Sequence, residues 1–418
     1  MMKVIRFRTT LLVLLTVAML SALNVLAVAP HPDLVEKWKA DGVLEEKLAP
    51  LRAFKAAGGN SPELHTPISK DRFGNALSLG TDWIDTAYTI VILVEFTDWP
   101  MSGGAVHTQN YQFDSVLFSE DYHNPTGSMT DFYLENSYGN FIVTGDIFGP
   151  YLMPMSYQYY ENDNYGLTLG GLLATHAVWA VAGDVPNWNK YDANGDGWCD
   201  GLIIIHAGPG AEEAGANNIW SHKGNINWTS PQGVKISSYT MNPEEFQGQT
   251  SPIGVFCHEF GHVLGLPDLY DISGTTNSNG VGDWAIMASG SYNGNARTPS
   301  HFTAWSKAEI GFLAYQEIDE NVKNAEFPCS ELNPVAYRLQ NSLSSYYEFW
   351  VVENRQQVGF DVGLPSSGLC IYHVDRHAPG PSNQNPAWYH VALEQADGKN
   401  DLAFGGSHGD GGDVWPGS

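Results

Sequence analysis

Residues 254–271 read GVFCHEFGHVLGLPDLYD, and this stretch decides how the chain is interpreted. Its residues favour a helix that ends at Gly265, because glycine readily adopts the left-handed conformation that closes a helix. His258 and His262 are four residues apart, so on a helix both imidazoles point to the same side. Two such imidazoles can bind one metal ion at about 2.0–2.1 Å. The stretch therefore predicts a metal-binding helix.

Acidic residues complete the predicted site. Glu259 cannot easily join the two histidines as a ligand, but it can reach a water bound to the metal, which is the general-base position of zinc peptidases. Catalytic zinc takes a third protein ligand and keeps one position open for water. Because Gly265 permits a sharp turn and Pro267 stiffens it, Asp268 comes within reach of the metal. The predicted zinc ligands are His258, His262 and Asp268.

The pattern H-E-x-x-H-x-x-G-x-x-D is a form of the metzincin pattern, with aspartate in place of the usual third histidine. Metzincins also have a methionine turn beneath the metal, and IMASGSY supplies one in which Met287 supports the ligands without binding zinc. Tyr292 is a candidate donor to the negative charge that forms during hydrolysis, and His222 is a weaker one. Asp271 and Asp283 are less favoured alternatives for the third ligand.

The net charge argues against one class of partner, and the N-terminus predicts export. The 418 residues have a formal net charge of −26, which makes nucleic acid an unfavourable partner because phosphates are repelled. Lys3, Arg6 and Arg8 precede an apolar run at residues 11–27 that ends in small residues, as in a secretory signal peptide. We expect cleavage after Ala27, secretion, and no stable membrane insertion once the signal is removed.

The sequence predicts four regions. Residues 1–27 form the signal peptide, and residues 28–78 have the helical spacing and loose end of a pro-segment with a linker, or alternatively of an N-terminal arm of the first domain. Alternating helices and strands indicate an α/β metzincin-like zinc peptidase domain at 79–315, with a mixed sheet and the active-site helix. Residues 316–418 predict a mostly β C-terminal region. Because the sequence stops in a glycine-aspartate loop, we interpret that region as truncated.

Four cysteines in an exported chain permit two disulfides, in any of three pairings. Cys329 with Cys370 is the favoured pair because both lie in the C-terminal region. Cys257 fits a free buried thiol equally well, and Cys199 has no favoured partner.

The stretch DANGDGWCD at residues 192–200 predicts a calcium site. It places oxygen ligands at alternating positions with glycine at the sixth, as in the first part of an EF-hand loop. The twelfth position is Ile203, so the usual closing glutamate is missing and a solvated turn is the alternative. The expected calcium ligands are Asp192, Asn194, Asp196, the carbonyl of Trp198, and Asp200.

Several motifs together resemble the immune inhibitor A-like metallopeptidases, a secreted bacterial branch of the metzincins. The resemblance implies zinc on the three ligands named above, a catalytic role for Glu259, an N-terminal pro-segment and a β-rich region after the catalytic domain. No cysteine precedes Cys199, so latency would need an oxygen or imidazole donor such as His65, Asp71 or Asp82. The motifs are SMTDFYLENSYGN, DGLIIIHAGPGAEE, IWSHKG, HEFGHVLGLPDLYD, IMASGSYNG, PSHFTAWSKAEIGF, VVENRQQVGFD, HVALEQADG and GDGGDVWPG.

These observations predict a secreted zinc endopeptidase that hydrolyses protein or peptide substrates with metal-activated water and a glutamate base. The alternative is a non-catalytic, calcium-stabilised extracellular adhesion or binding module that retains a metal helix. Zinc content and a casein assay with and without a chelator distinguish the two.

Overall fold

The computed structural model describes residues 26–56, 85–101, 110–120, 126–271, 278–339, 347–378, 383 and 388–417. The body of the predicted signal peptide, residues 1–25, lies outside these ranges. So do His65, Asp71 and Asp82, the predicted latency ligands. Within the described residues, the chain forms two β-sheets with helices packed around them.

The first sheet contains seven described strands: β1 (Leu26–Ala27), β2 (Asp85–Glu95), β3 (Phe141–Leu152), β4 (Gly201–Pro209), β5 (His222–Thr229), β6 (Lys235–Phe246) and β7 (Gln249–Thr250). The main order is β1-β5-β6-β4-β2-β3, and β7 pairs with β6. Strands β3, β2, β4 and β6 are mutually parallel. β5 is antiparallel to β6, and β1 is antiparallel to β5. The central β4 is buried along almost its whole length, which explains its continuous apolar sequence.

The helices cover this sheet and connect its strands. One of them, α8, carries the HEFGH residues as predicted, and all of its residues are buried. Among the described residues, no helix is both long and apolar enough to cross a membrane. The described α-helices are α1 (Pro32–Ala40), α2 (Leu44–Ala56), α3 (Asn110–Phe118), α4 (Met129–Asn136), α5 (Tyr157–Glu161), α6 (Gly170–Val181), α7 (Ala211–Ala214), α8 (Ile253–Val263), α9 (Asn293–Ala296), α10 (Ala304–Glu309) and α11 (Asp401–Phe404).

A second sheet follows in the chain. Its described strands are β8 (Tyr315–Ile318), β9 (Ala336–Leu339), β10 (Glu348–Arg355), β11 (Gly368–Asp375) and β12 (Val391–Leu393). They lie in the order β12-β11-β10-β9-β8, and the pairs are antiparallel except β8 with β9. This mixed α/β architecture is consistent with a peptidase domain.

All four cysteines are free, so the expected Cys329–Cys370 disulfide is wrong. Cys370 in β11 lies opposite Glu353 on one side of β10, whereas Cys329 bridges to Asn354 on the other side. Residues separated by two strand spacings are about 9–10 Å apart, which exceeds the roughly 7 Å limit between Cα atoms for a disulfide. Shared location in the C-terminal region did not imply proximity.

A buried arginine joins the second sheet to the first part of the molecule. The Arg355 guanidinium donates to both Asp361 carboxylate oxygens, at 2.6 and 2.7 Å. It also donates to the carbonyl oxygen of Trp284 at 3.2 Å, and it contacts Glu331 and Glu353 at 3.3 Å each. Arg355 is fully buried, so these contacts replace its hydration.

The end of the described chain, residues 402–413, returns to the loop that precedes Met287, and we call it the C-terminal strap. The carbonyl oxygen of Leu402 accepts from the Asn279 amide at 2.9 Å, and that of His408 accepts from the Asp283 amide at 2.7 Å. Trp284 donates its indole hydrogen to the carboxylate of Asp413 at 3.0 Å. The strap therefore fixes the chain immediately before Met287.

Candidate metal centre

The structure brings together the three residues predicted as metal ligands. The Nε2 atoms of His258 and His262 are 3.2 Å apart, and Asp268 Oδ1 lies 3.3 and 3.4 Å from them. A tetrahedral zinc ion with bonds of about 2.0–2.1 Å separates its ligand atoms by about 3.3–3.4 Å. Among the described residues, no other group of three His, Cys, Asp or Glu side chains has ligand atoms this close together. The spacing therefore fits one tetrahedral ion.

Backbone carbonyl oxygens fix the two imidazoles in the form that binds metals. His258 Nδ1 lies 2.7 Å from the carbonyl oxygen of Ile286, and His262 Nδ1 lies 2.7 Å from that of Leu266. Because a carbonyl can only accept, each Nδ1 carries the hydrogen and each Nε2 presents a lone pair. Burial also lowers the pKa of His262, which favours its neutral form. Two lone pairs and a carboxylate that face one another at this distance suit a divalent cation.

A glycine turn places Asp268 beside the helix. Gly265 has φ of +99°, and its amide donates to the carbonyl of His262 at 3.1 Å while the Leu266 amide donates to that of Gly261 at 3.1 Å. This left-handed closure reverses the chain within three residues. The predicted turn at Gly265 is therefore present, and it directs the following segment back to the metal-binding side of α8.

The predicted methionine turn lies against the helix. A Cβ atom built on Gly261 would be 2.6 Å from the Met287 sulfur, so this methionine contacts α8 between the two ligand histidines. The carbonyl oxygen of Met287 accepts from the Leu269 amide at 2.7 Å, next to Asp268. Together with the Ile286 contact to His258, the turn therefore holds one predicted ligand directly and the neighbour of another.

Glu259, the predicted general base, is fully buried beside this centre. Its Oε1 atom accepts a hydrogen bond from the Val28 amide at 2.9 Å. Val28 belongs to the N-terminal segment, which we define as residues 26–31. Glu259 therefore faces an amide nitrogen of the chain itself.

The N-terminal segment runs through the site and begins as the short strand β1. Leu26 lies opposite Lys223 and Ala27 opposite His222 in the antiparallel pairing of β1 with β5. Farther along, the His31 amide donates to the carbonyl oxygen of Glu212 at 2.6 Å. The segment then continues into α1, so the metal centre is covered by residues 26–31.

Three side chains each hold one carbonyl oxygen of this segment. Tyr270 donates its hydroxyl hydrogen to Ala27, and Tyr292 donates to Ala29. Between them, Trp220 donates its indole hydrogen to Val28 at 2.9 Å. Tyr292 was a predicted contact in the site, whereas Tyr270 and Trp220 were missed. Their positions in the sequence could have marked both as site candidates, because Tyr270 follows Asp268 by two residues and Trp220 adjoins the SHK motif.

Two other polar residues near β5 have structural contacts. Glu212 accepts from both the amide and the hydroxyl of Ser221, at 3.0 and 2.6 Å, and burial raises the pKa of Glu212 to about 7. His222 Nδ1 lies 2.7 Å from the Trp220 carbonyl oxygen, and its Nε2 lies 3.0 Å from the Tyr239 hydroxyl. Burial lowers the pKa of His222 to about 4. His222 therefore packs inside the protein and orders β5 next to the site.

The predicted calcium loop folds around its own carboxylates. Asp192 accepts from the Gly197 amide at 3.0 Å, Asn194 from that of Asp196 at 3.1 Å, and Asp196 from that of Trp198 at 2.9 Å. Asp200 accepts from the amides of Tyr88 and Ala193 at 2.9 and 3.0 Å, and burial raises its pKa to about 7. These carboxylates do not bring three ligand atoms as close together as those of His258, His262 and Asp268.

Comparison with known proteins identifies the family. A family model for the catalytic domain of immune inhibitor A peptidase M6 matches residues 75–313. The pre-pro-metalloprotease PrtV of Vibrio cholerae serotype O1 is 31% identical over 283 residues, which cover 56% of this chain and 30% of that protein. Immune inhibitor A of Bacillus thuringiensis subsp. alesti is 27% identical over 273 residues, which cover 52% of this chain and 38% of that protein. The matched part thus spans well under half of either relative.

The chain belongs to the immune inhibitor A peptidase M6 family. This confirms the resemblance that the motifs indicated. A metallopeptidase family implies a bound metal, and the three buried ligand atoms described above provide a place for one.

Proposed function

We propose that this chain is a secreted zinc-dependent endopeptidase that acts on protein or peptide substrates. The observation that carries the proposal is the tetrahedral spacing of His258, His262 and Asp268 with Glu259 on the same helix. Zinc bound there would supply an activated water and a positive charge that stabilises the oxyanion. The helix, the turn at Gly265 and the contact with Met287 support a metzincin arrangement.

Glu259 would act as the general base and then as the general acid. Its carboxylate accepts a proton from the attacking water and passes it to the leaving amine. The 2.9 Å contact between Glu259 Oε1 and the Val28 amide supports this role, because it puts a peptide nitrogen within hydrogen-bonding distance of that carboxylate. Burial removes competing water from the path of the proton.

The path of the N-terminal segment supports cleavage within a chain. In the uncleaved chain, residues 26–27 lie antiparallel along β5, and the chain continues on both sides of Val28. A site that trims chain ends must close around a terminus, whereas this cleft admits a continuous strand. Substrates would therefore add to the edge of the first sheet through backbone hydrogen bonds.

The N-terminal region would keep the enzyme latent until it is processed. In this proposal, residues 1–27 direct export and residues 28–78 form the pro-segment. Val28, Ala29 and the helices α1 and α2 then cover the centre until proteolysis removes them. The catalytic domain would span residues 79–315, and a β-rich region would follow at 316–418.

Calcium is proposed for the loop at residues 192–200. Oxygen atoms at alternating positions and the buried carboxylate of Asp200 support it. Bound calcium would favour the ionised form of Asp200.

The decisive test replaces Glu259 with glutamine in the full chain, followed by limited proteolysis to remove the pro-segment. Glu259→Gln should retain one zinc per chain by elemental analysis and lose at least about 1,000-fold in casein hydrolysis, because general acid–base catalysis contributes on this scale. The exposed Glu394 provides the matched control, Glu394→Gln, which should keep wild-type activity.

Two outcomes would contradict the proposal. If Glu259→Gln hydrolysed casein at the wild-type rate, Glu259 would not be the general base. A processed wild-type protein that lacks zinc and does not cleave casein, with or without phenanthroline, would instead favour the non-catalytic adhesion module. Calcium is measured in the same elemental analysis.

A further inference from the structure

In the uncleaved chain, the N-terminal segment presents one peptide bond, Ala27–Val28, to Tyr270 and Glu259. The carbonyl oxygen of Ala27 accepts from the Tyr270 hydroxyl, and the amide of Val28 donates to Glu259. These two contacts are on the two ends of the same amide group. Hydrolysis of an amide requires a donor on its oxygen and a proton for its nitrogen, so this bond has the surroundings of a reacting bond.

The position of Tyr270 relative to the metal ligands agrees with that assignment. Tyr270 follows Asp268 by two residues on the turn that brings this ligand to α8, and its side chain is buried. Its hydroxyl contacts the carbonyl of the same peptide group whose amide contacts Glu259, so it lies beside the predicted metal centre.

The next two carbonyl groups establish the direction of the peptide. Trp220 holds the carbonyl of Val28, and Tyr292 holds that of Ala29. In an extended strand, carbonyl groups two residues apart point the same way and are about 6.6–6.8 Å apart. Tyr270 and Tyr292 thus lie on the same side of the peptide, one strand repeat apart. A single phenol cannot serve both positions.

We propose that the Ala27–Val28 bond occupies the position of the scissile bond of a substrate, and that Tyr270 is a catalytic residue that donates a hydrogen bond to the oxygen of that bond. Trp220 and Tyr292 then hold the first and second carbonyl oxygens on the leaving-group side. This inference rests on the proposed peptidase function and assigns the transition-state contact to Tyr270 instead of Tyr292.

Atoms and protons balance in the proposed hydrolysis with water, Glu259 and Tyr270 as the reacting groups. Water adds its oxygen to the carbonyl carbon, and Glu259 takes one proton from the water. The carbonyl oxygen becomes negative and is stabilised by the Tyr270 hydrogen bond, while the phenol keeps its proton. The carbon–nitrogen bond then breaks, and Glu259 delivers the proton to the nitrogen. No oxidant or other reactant is required.

The two tyrosines allow a matched experiment, since Tyr→Phe removes one hydroxyl in each case. Each variant is made in the full chain and processed by limited proteolysis, and zinc is measured in every preparation. Tyr270→Phe should lower kcat for a fluorogenic peptide about 100-fold with KM within about threefold, as expected for loss of one oxyanion donor. Tyr292→Phe should raise KM about fivefold and leave kcat within about threefold. Tyr151→Phe, which alters a phenol bonded to Asp184 on the surface, is the control.

Binding of a product peptide provides a readout that does not depend on turnover. The tetrapeptide Val-Ala-Pro-His copies residues 28–31 and therefore represents the leaving-group side alone. Calorimetry should show about fivefold weaker binding to Tyr292→Phe and unchanged binding to Tyr270→Phe, because the peptide lacks the carbonyl that Tyr270 holds.

The outcomes separate this inference from the proposed function. The proposed position of residues 28–31 on the leaving-group side would be wrong in either of two cases. These are equally weak binding of the tetrapeptide to Tyr270→Phe and Tyr292→Phe, or no measurable binding of the tetrapeptide to the wild-type protein. A kcat for Tyr270→Phe within threefold of the Tyr151→Phe value, with zinc retained, would overturn the catalytic role. Wild-type activity in Glu259→Gln would contradict the proposed function, while the tetrapeptide result would still decide the register.

Discussion

At the scale of single residues, the metal centre depends on Gly261, whose lack of a side chain leaves space for Met287. Gly261 lies between the ligand histidines on α8, where the Met287 sulfur occupies the space that a Cβ atom would take. Glycine within a helix costs about 1 kcal/mol relative to alanine. The close approach of the methionine offsets that cost, because it lets the turn at Ile286 and Met287 reach the ligands by hydrogen bonds.

Gly261→Ala should therefore weaken the metal centre. A Cβ atom 2.6 Å from the sulfur must displace Met287, and overpacking of this kind costs about 1–3 kcal/mol. We expect a lower melting temperature and faster loss of zinc to a chelator, followed by a chromophoric zinc indicator. Gly183→Ala is the matched control, because a Cβ atom there meets no atom within 4 Å. If both variants release zinc at the wild-type rate, the proposed support by Met287 is wrong.

The residues of the site differ in how far the sequence could predict them. His258, His262 and Asp268 lie within eleven consecutive positions, so helical spacing and one glycine turn were enough to place them together. Trp220 and Tyr270 contact a segment that is 192 and 243 residues away in sequence. Their nearness to the motifs marks them as candidates for the site, but periodicity and motif spacing do not identify a partner so far away in sequence.

At the scale of elements, the N-terminal segment completes the edge of the first sheet. β5 is antiparallel to its neighbour β6 and would expose its free edge if β1 did not pair with it. An exposed edge readily accepts another extended chain. In the uncleaved chain, the same edge can thus hold either residues 26–27 or an extended substrate, and the two compete.

In the full chain, Val28→Asp should weaken binding of the N-terminal segment and so favour binding of substrate. Val28 is fully buried within an apolar cluster and beside the Glu259 carboxylate, so a new carboxylate there would be desolvated and repelled. We expect at least tenfold higher hydrolysis of a short fluorogenic peptide by the unprocessed chain. Val322→Asp is the control, because Val322 is 55% exposed. An unprocessed Val28→Asp protein as inactive as the control would show that residues 26–31 do not limit access.

At the scale of the whole molecule, the second sheet is attached to the metal centre through buried charge. Arg355 at the end of β10 contacts the carbonyl of Trp284, three residues before Met287, and is surrounded by acidic groups. The sequence predicted a mostly β region here from strand-like stretches with turn residues between them. The ionic attachment was not, since Arg355 and its partners look like ordinary surface residues in sequence.

Arg355→Met should destabilise the entire protein. Removing one partner of a buried ionic network leaves the Asp361 and Glu353 carboxylates uncompensated, which costs about 3–5 kcal/mol. We expect a marked fall in the urea midpoint together with weaker zinc retention. Arg338→Met is the matched control, because Arg338 pairs with Glu317 near the surface and such pairs contribute about 0–1 kcal/mol. Equal urea midpoints for the two variants would contradict the proposed attachment.

The C-terminal strap has a consequence for biosynthesis. The loop before Met287 donates hydrogen bonds to residues 402–413, which are synthesised after the residues His258, His262 and Asp268. A nascent chain therefore cannot complete these hydrogen bonds before residues 402–413 have emerged from the ribosome. The final arrangement of the loop beneath the predicted metal ligands is delayed until then.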